Sequence, residues 1–467
     1  MDEIVLTAVL TDTQANALAQ RSWALRQAGQ PAQALALLTP AIHSTDAARQ
    51  CAPLQHEHGQ TLRQLGRARE AIASFDRALA LNPDYTRAWL HRANTHYDLG
   101  DRIAALADYD RALALDAQNA TAWQNRGLAL ADLGRHEAAL ASLERAIAVD
   151  PSHVEAHWNL ALVLLRMGDE ARGWQEFEWR WQRPSMPMAG RHLRKPRWQP
   201  GAALQGKTVL LYAEQGLGDT LQFCRYVPWV VAQGARVLLL VQPEIASLLA
   251  GLFDNTQIVA SGATLPPYDL HAPLMSIPWL AGEPLRQWPV AHPYLAAPES
   301  QIHAWRTRLG ESKVARVGLV AGGNPAHGND KARSMGLARL LATLPRGPRY
   351  VCLQRDLRAG DREAMQARGD VFDASSQLTD FSVTAGLCAC MDLVISVDTS
   401  VAHLSGALGR PTWLLLPFNS DWRWGIARAD TPWYPTMTLW REHAPGERDA
   451  LLARVAQSLT DRFACSD

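Results

Sequence analysis

Residues 86–119 read TRAWLHRANTHYDLGDRIAALADYDRALALDAQN, residues 120–153 read ATAWQNRGLALADLGRHEAALASLERAIAVDPSH, and the two align without a gap at a spacing of 34. Small and aromatic residues recur at this interval through the first third of the chain. A fixed period of this length predicts stacked pairs of helices, with glycine in each turn and alanine where the helices pack closely. The recurring residues are Gly66, Gly100, Gly134 and Gly168; Ala71, Ala105, Ala139 and then Gly173; Ala78, Ala112 and Ala146; Trp89 and Trp123; and Phe75, Tyr109, Leu143 and Phe177.

A degenerate earlier copy of the repeat centres on Gly29 and Ala34. One helix pair cannot bury its own apolar face, so we expect residues 1–183 to form a helical solenoid. Two roles stay open for it: a groove that binds a peptide or partner protein, or an arm that caps or dimerises the rest of the chain. Polar residues of the inner helices are the candidates for contacting a peptide backbone, namely Asn94, Gln124, Asn125 and Asn159.

The bulk composition limits the classes of function. A chain of 467 residues is expected to hold two or three domains. Its 46 basic residues balance 46 acidic ones, which argues against a general polyanion-binding role. The acidic amino-terminal stretch lacks the features of a signal peptide, and no run approaches the roughly 18 apolar residues of a membrane span. Cys388 and Cys390 form a single C-x-C pair in an apolar stretch, which favours packing over a metal site or a disulfide, so a cytoplasmic location is expected.

The segment that follows the repeats is rich in Trp, Arg and Pro, and we place a joint at residues 184–204. Trp174, Trp179, Trp181 and Trp198 lie in or just before it. Indoles and arginines together can form a nucleic-acid surface. A stiff joint in which indoles are buried and proline fixes the chain direction is the favoured interpretation, and no nucleic-acid partner is predicted.

Beyond residue 205 the pattern changes to short apolar runs separated by Gly- and Pro-rich turns, which predicts α/β layers with parallel sheets. We divide this part into one half at 205–313 and another at 314–467 that closes with a helix near 447–464. Two such halves predict a cleft at the carboxyl ends of their strands. The predicted strands are 207–213, 236–242 and 257–260 in the first half, and 315–323, 350–354, 392–398 and 411–417 in the second.

The sequence GLGDT at 216–220 follows the first predicted strand. Gly216 and Gly218 let the backbone approach a ligand, and the start of a helix offers free N–H groups. Asp219 is a candidate general base that accepts a proton from a hydroxyl group. An aspartate opening a helix is also a favoured N-cap, and the two roles can coexist.

The sequence SVDTSVAH at 396–403 ends another predicted strand and begins a helix. Asp398, Thr399 and Ser400 would lie at the helix start, with His403 one turn further on the same face. N–H donors, a hydroxyl and an imidazole suit a pyrophosphate group. Helix capping for the first three residues, and a core position for His403, are the alternatives.

A third polar segment, NPAHGNDKARS at 324–334, follows a strand of the second half. Asn324, Lys331 and Arg333 are candidates for holding a diphosphate, and Gln354 ends the next strand on the expected ligand-facing edge. No carboxylate or histidine spacing typical of a metal site is present, so we predict metal-independent chemistry without a bound cofactor. Side chains and helix dipoles would then have to stabilise the leaving group.

These motifs resemble known families. The repeats resemble the tetratricopeptide repeat. Residues 205–440 are similar to the family-9 glycosyltransferases of the heptosyltransferase type, through GLGDT at 216–220 and VDTSVAHLSGALGRPTWLLL at 397–416. That resemblance implies a GT-B fold of two Rossmann-like lobes, with Asp219 as the base, Lys331 on the donor phosphate, and Asp398, Thr399 and His403 at the donor.

Two further likenesses concern the order of domains. AEQGLGDTLQFCRY at 213–226 and DWRW at 421–424 look like bacterial proteins that join such repeats to such a transferase. The order is also similar to that of the protein O-N-acetylglucosamine transferases, although only Gln354 and Asp398 partly match their signatures and their long insertion between the lobes is absent.

The resemblance implies transfer of a hexosyl or heptosyl group from a nucleoside-diphosphate sugar to a hydroxyl acceptor. The acceptor is expected to be a protein recruited by the repeats, as in protein glycosylation, with the first lobe on the acceptor side and the second on the nucleotide-sugar side. Two alternatives stay open: a catalytically silent repeat scaffold, and a nucleotide-sensing interaction protein. Oligomerisation through the repeats is also open.

Overall fold

The computed structural model describes residues 12–44, 49–184, 193–282, 292–326 and 328–463. The chain divides into two compact units, one ending at Leu164 and the other beginning at Leu165. The division lies within the helix Val154–Met167, whereas the sequence placed the end of the repeats at residue 183.

The first part of the chain is helical throughout the residues that the structure describes. Each helix is amphipathic or alanine-rich, and pairs of helices follow one another at the spacing that the sequence predicts. The helices are α1 Asp12–Gln27, α2 Pro31–Ser44, α3 Ala52–Gln64, α4 Ala68–Leu81, α5 Thr86–Asp98, α6 Arg102–Leu115, α7 Ala120–Asp132, α8 His136–Val149, α9 Val154–Met167 and α10 Glu170–Phe177.

The recurring glycines lie in the turns between paired helices, as predicted. Their φ angles lie between +72° and +91°, a region that residues with a Cβ atom rarely adopt. Glycine just after the last helical residue is a common way to end a helix, because this conformation lets backbone N–H groups reach the last carbonyls. The five turn glycines are Gly29, Gly66, Gly100, Gly134 and Gly168.

The recurring alanines and large residues form the interior of the repeats. Ala71, Ala105 and Ala139 are fully buried, as are Phe75 and Leu143. The close approach of neighbouring helices leaves no room for a side chain at Gly59 or Gly127, where a Cβ atom would come within 2.7 Å of Phe75 and Leu143 respectively. The repeat interpretation is therefore confirmed at the level of packing.

Two of the four inner-helix amides, Asn94 and Asn125, have hydrogen-bond partners within the protein. Asn94 Oδ1 accepts hydrogen bonds from the Tyr109 hydroxyl at 2.7 Å and from Asn125 Nδ2 at 3.0 Å. Gln124 is buried, with 7% of its surface exposed. Asn94 and Asn125 thus link neighbouring repeats through their side chains. Fewer of their hydrogen-bonding groups remain for a peptide than the sequence suggested.

A histidine pair gives the repeat unit a pH dependence. His56 Nε2 and His91 Nδ1 lie 2.7 Å apart, and burial, followed by the charge of His56, lowers the pKa of His91 to about 3. The unfolded histidine takes up a proton below its usual pKa near 6.5 while the folded one resists it. Stability is therefore complete above about pH 6.5 and falls as the pH drops, by up to about 1.4 kcal/mol per pH unit.

Replacing His91 with asparagine is expected to weaken that acid sensitivity. Asn125 and Asn159 occupy the equivalent position in the next two repeats, so the side chain fits the site. The thermal midpoint of the variant should fall less than that of the wild type between pH 7 and pH 4.5. Equal falls in the two proteins would show that His91 does not contribute.

The second unit contains two parallel sheets. The four-stranded sheet has the order β3-β2-β1-β4, with β1 Thr208–Tyr212, β2 Arg236–Val241, β3 Thr256–Ala260 and β4 Leu270–Pro273. The six-stranded sheet has the order β10-β9-β8-β5-β6-β7. Counted from β5, this is the doubly wound order 3-2-1-4-5-6. Its strands are β5 Arg316–Val320, β6 Arg349–Cys352, β7 Val371–Asp373, β8 Leu393–Val397, β9 Thr412–Leu416 and β10 Met437–Arg441.

Helices flank both sheets, and apolar side chains of β5, β8 and the last helix form one core of the six-stranded half. The strands predicted from apolar runs are confirmed, within one to three residues at each end. The helices are α11 Leu217–Phe223, α12 Val227–Ala232, α13 Pro243–Leu249, α14 Ile277–Ala281, α15 Glu299–Leu309, α16 Asp330–Arg333, α17 Leu337–Thr343, α18 Asp361–Arg368, α19 Phe381–Ala389, α20 Ser400–Ala407 and α21 Arg448–Phe463.

The Trp-rich segment after the repeats packs within the second unit. Trp174 is buried in edge-on contact with Phe223 and Trp422, at centroid distances of 5.8 and 5.3 Å. Trp198 stacks on Trp229, and its backbone N–H donates to the carbonyl of His271. The stiff joint stays a prediction, and residues 185–192 of it lie outside the described residues.

Candidate functional site

The predicted site residues lie at the carboxyl ends of four strands, with Gln354 just after β6. GLGDT follows β1, the segment from Asp398 to His403 follows β8, and the loop 321–334 follows β5. In the six-stranded sheet β5 and β8 are the central neighbours from which the strand order runs in opposite directions. Such a switch point leaves a crevice at the strand ends, where doubly wound proteins bind ligands.

Helix α11 begins three residues earlier than the N-cap interpretation of Asp219 requires. Gly216 is the N-cap, and Asp219 is the third helical residue. Asp219 Oδ2 accepts a hydrogen bond from the Gly216 N–H at 2.8 Å. The N-cap assignment is therefore wrong, although the carboxylate still stabilises the first turn of the helix.

Helix α11, which carries Gly218, packs directly against helix α20, which carries Ser400 and His403. A Cβ atom on Gly218 would lie 2.8 Å from Cδ2 of the His403 ring and 3.5 Å from Cα of Ser400. The absence of a side chain at Gly218 thus lets α11 pack against the first turns of α20. The sequence predicted a cleft here, but these two segments are in van der Waals contact.

Replacing Gly218 with alanine is expected to destabilise this contact by about 1–3 kcal/mol, the usual range for overpacking. His403 cannot move aside easily, because its ring is buried between Trp424 and Tyr434. Gly216→Ala is the matched control, since its Cβ atom would meet only the end of the Asp219 side chain, at 3.2 Å. Equal thermal midpoints for the two variants would contradict the close contact.

His403 is a buried, hydrogen-bonded histidine at the centre of the site. Its Nδ1 lies 2.8 Å from the Tyr434 hydroxyl, and its Nε2 lies 3.8 Å from Asp398 Oδ1. Burial lowers the pKa of His403 well below its ordinary value, and the charges of Arg423, Arg225 and Arg333 act in the same direction. The imidazole is therefore neutral at physiological pH.

Asp398 is held by an indole rather than by a capping bond. Trp424 Nε1 donates to Asp398 Oδ2 at 2.9 Å, and Arg333 Nη1 donates to the Asp398 carbonyl at 3.0 Å. Burial, followed by the charge of Asp421, raises the pKa of Asp398 to about 6. Thr399 is the extended N-cap of α20, and its hydroxyl lies 3.3 Å from that of Ser396, while Ser400 is half-buried.

Arg423 joins this site to α11. Its Nη2 donates to Asp219 Oδ1, its Nε to Gln222 Oε1 at 2.6 Å, and its Nη1 to Asp421 Oδ1 at 2.9 Å. The side chain is only 9% exposed, whereas that of Asp219 is 20% exposed. One guanidinium thus engages two carboxylates and an amide.

The loop after β5 is fixed by an internal ion pair. Arg358 Nη2 donates to Asp330 Oδ2 at 2.5 Å, and Ser334 Oγ donates to Asp330 Oδ1 at 2.8 Å. Asn324 is exposed, and its side-chain oxygen accepts from the Ala326 N–H in a local turn. Lys331 is exposed at the same loop.

Gln354 is committed to the protein interior. Its Oε1 accepts from the N–H groups of Ala321 at 3.2 Å and Gly322 at 3.0 Å, and its Nε2 donates to the Asp356 carbonyl at 3.0 Å. With 6% of its surface exposed, Gln354 fixes the backbone of the loop after β5 from the protein interior. To contact a ligand directly, the Gln354 side chain would have to break these hydrogen bonds and form new ones.

Three residues around the site were not among the sequence candidates: Arg423, Trp424 and Tyr434. Arg423 and Trp424 lie in DWRW, which the sequence linked to a family but not to a contact. Their side chains reach Asp219 and Asp398 across about 200 and 26 residues of sequence, respectively. Tyr434 lies in no sequence motif that marks it as a site residue, because only the fold brings its hydroxyl to His403.

Among the described residues, no helix is long and apolar enough to cross a membrane. No group of three or more His, Cys, Asp or Glu side chains there is arranged to hold a metal ion.

Comparison with protein families identifies the repeats. Residues 59–100 and 127–168 match a model described as TPR repeat, and residues 92–144 match another described as tetratricopeptide repeat. The amino-terminal helices are therefore a tetratricopeptide-repeat solenoid, followed by a region of parallel sheets and helices.

Individual proteins give more distant likenesses. Protein FlbA of Caulobacter vibrioides is 26% identical over 472 residues, which cover 95% of this chain and 72% of that protein. Among solved structures, MamA from Desulfovibrio magneticus is 21% identical with a TM-score of 0.34, covering 38% of this chain and 100% of its own. A tetratricopeptide repeat protein from Parabacteroides merdae is 22% identical with a TM-score of 0.32, covering 35% of this chain and 64% of its own.

Proposed function

We propose that this chain is a glycosyltransferase of the GT-B type that transfers a sugar from a nucleoside-diphosphate donor to a hydroxyl group. One observation carries the proposal: the GLGDT and VDTSVAH segments, which begin 181 residues apart, meet at the carboxyl ends of β1 and β8. Ligands of doubly wound sheets bind at such strand ends. The same two segments carry the resemblance to the heptosyltransferase-type enzymes.

In this proposal Asp219 is the general base. It takes the proton of the acceptor hydroxyl while that oxygen bonds to the anomeric carbon of the sugar. The bond from the anomeric carbon to the diphosphate breaks, and its electron pair leaves with the nucleoside diphosphate. The half-buried Asp219 carboxylate, on the first turn of α11, would meet the acceptor.

The departing diphosphate would be stabilised from the six-stranded half. Lys331 and Arg333 on the loop after β5 supply positive charge, and the start of α20 supplies the Ser400 N–H and hydroxyl. Neutral His403 donates or accepts a hydrogen bond without adding charge. Asp398 and Thr399 shape the turn that leads into the helix, and this arrangement needs no metal ion in the proposed chemistry.

The tetratricopeptide repeats would recruit the acceptor. Solenoids of helix pairs present extended surfaces that bind peptides and proteins. An acceptor protein held by the repeats would present its hydroxyl group at a high effective concentration to a site on the same chain.

The proposal is tested by measuring nucleoside diphosphate released from ADP-, UDP-, GDP- and dTDP-linked sugars. Release that depends on one donor type, and that falls in Lys331→Ala, supports a transferase. The exposed Lys313, on the loop before β5, gives the matched control Lys313→Ala. Absence of release from all four donor types, with the folded protein at high concentration, contradicts it.

A second candidate is a repeat scaffold whose α/β unit does not turn over. One observation favours it: the Asp219 carboxylate is engaged by Arg423 and Gly216, and Gly218 lies against His403. A scaffold would bind its protein partner equally well as wild type and as Asp219→Asn, and would release no nucleotide in either form.

A further inference from the structure

We propose that Arg423 couples donor binding to the release of Asp219: the guanidinium holds Asp219 in the empty site and moves to the donor diphosphate when it binds. This inference rests on the proposed glycosyltransferase function. It adds a diphosphate contact and an order of events that neither the motifs nor the family resemblance supplies.

The first step concerns what Arg423 does to Asp219. A carboxylate that accepts from a guanidinium and from the Gly216 N–H has its charge satisfied and two of its acceptor positions filled. A neighbouring cation favours the ionised form of a carboxylate and so makes it a weaker proton acceptor. Asp219 is thus restrained as a base while Arg423 is in place.

The second step concerns charge at the site. Three carboxylates, those of Asp219, Asp398 and Asp421, lie around the buried guanidinium of Arg423. Arg333 is the second cation that acts on Asp398. Over these five groups negative charge exceeds positive charge by one when all are ionised, so a cation that turns to the diphosphate favours its binding here.

The third step is the choice of cation. Arg423 presents N–H groups in a planar fork, and phosphate oxygens accept such a fork in the same geometry as a carboxylate. Asp219 is the more exposed member of the pair, 20% against 9%, so an anion entering from solvent arrives at the Asp219 side. The diphosphate therefore replaces Asp219 as the partner of Arg423.

The consequence is an ordered reaction. Asp219 becomes a free base only after the donor has bound, so an acceptor hydroxyl is not deprotonated in the empty site. Gln222 and Asp421, the other partners of Arg423, stay in place as an anchor for the end of the side chain.

The experiment compares Arg423→Gln, Arg423→Lys and the wild type for binding of ADP, UDP, GDP and dTDP by calorimetry. Arg428→Gln is the control, because Arg428 lies on the same loop and pairs with exposed Asp430. We expect affinity for the bound nucleotide to fall about tenfold or more in Arg423→Gln, less in Arg423→Lys, and to stay near the wild-type value in the control. If Arg423→Gln fails to fold, the binding measurement is made on Arg423→Lys alone.

A second readout separates coupling from a structural role. In Asp219→Asn, which removes the charge that holds Arg423, the nucleotide should bind about threefold more tightly, and the same substitution should have no such effect in an Arg423→Gln background. Unchanged affinity in folded Arg423 variants, or equal effects of Asp219→Asn in the two backgrounds, overturns the inference while leaving the transferase proposal intact. Failure of the wild type to bind any of the four nucleotides overturns both.

Discussion

Replacing Asp219 with asparagine is expected to lower the rate of sugar transfer by about 10²- to 10⁴-fold, the usual contribution of a general base. The amide is close in shape to the carboxylate and keeps an oxygen for the Gly216 N–H, but it cannot accept the acceptor proton. Donor binding should stay within a few-fold of the wild type, so the loss should appear in kcat rather than in the donor KM.

The matched control for that measurement is Asp430→Asn, which removes an exposed carboxylate that pairs with Arg428. Its rate should equal that of the wild type. An Asp219→Asn enzyme that transfers sugar within threefold of the wild type would show that another group accepts the proton.

The largest expected effect on stability comes from Arg180. This side chain is fully buried, and its Nη2 lies 2.9 Å from Glu214 Oε1 and 2.8 Å from Ser276 Oγ. Arg180→Met would leave Glu214 buried without its cation, and breaking such a pair costs about 3–5 kcal/mol. Chemical denaturation of the second unit, followed by tryptophan fluorescence, measures the loss.

The double variant Arg180→Met/Glu214→Gln tests the cause. Burial raises the pKa of Glu214 to about 7, so ionisation of this group opposes folding increasingly as pH rises from about 4.5 to 7. Removing the charge should therefore recover much of the lost stability, most clearly above pH 7. A double variant no more stable than Arg180→Met would mean that packing, and not the charge of Glu214, causes the loss.

Sequence patterns predicted the repeats because each repeat is a local unit. The glycine turns, the buried alanines and the large residue at Phe75, Tyr109 and Leu143 all follow from contacts within or between adjacent repeats. The central strands were predictable because strands buried on both faces are continuous apolar runs.

Three of the four edge strands were missed because their sequences lack the apolar pattern of a buried strand. β4 reads LHAP, β7 has three residues, and β10 alternates apolar and polar residues as MTLWR. None of these is a continuous apolar run, since an edge strand is less completely buried and its pattern is weaker.

The site could be predicted in part. GLGDT and SVDTSVAH were recognised because strand ends followed by small and polar residues are local features. The contacts of Arg423 with Asp219 and of Tyr434 with His403 join residues far apart in sequence. Such contacts depend on how the elements of the second unit fold together, and a single sequence carries no pattern for that.

The most direct test of the central claim is thermal stabilisation by nucleotides and nucleotide sugars based on ADP, UDP, GDP and dTDP. A ligand that binds only the folded state raises stability by RT ln(1 + [L]/Kd), which is about 2.7 kcal/mol at 100 times Kd. We predict a shift with one base only, greatly reduced in Lys331→Ala and His403→Ala. No shift with any of them at millimolar concentration would contradict a nucleotide-sugar site and leave the repeats as the functional part of the chain.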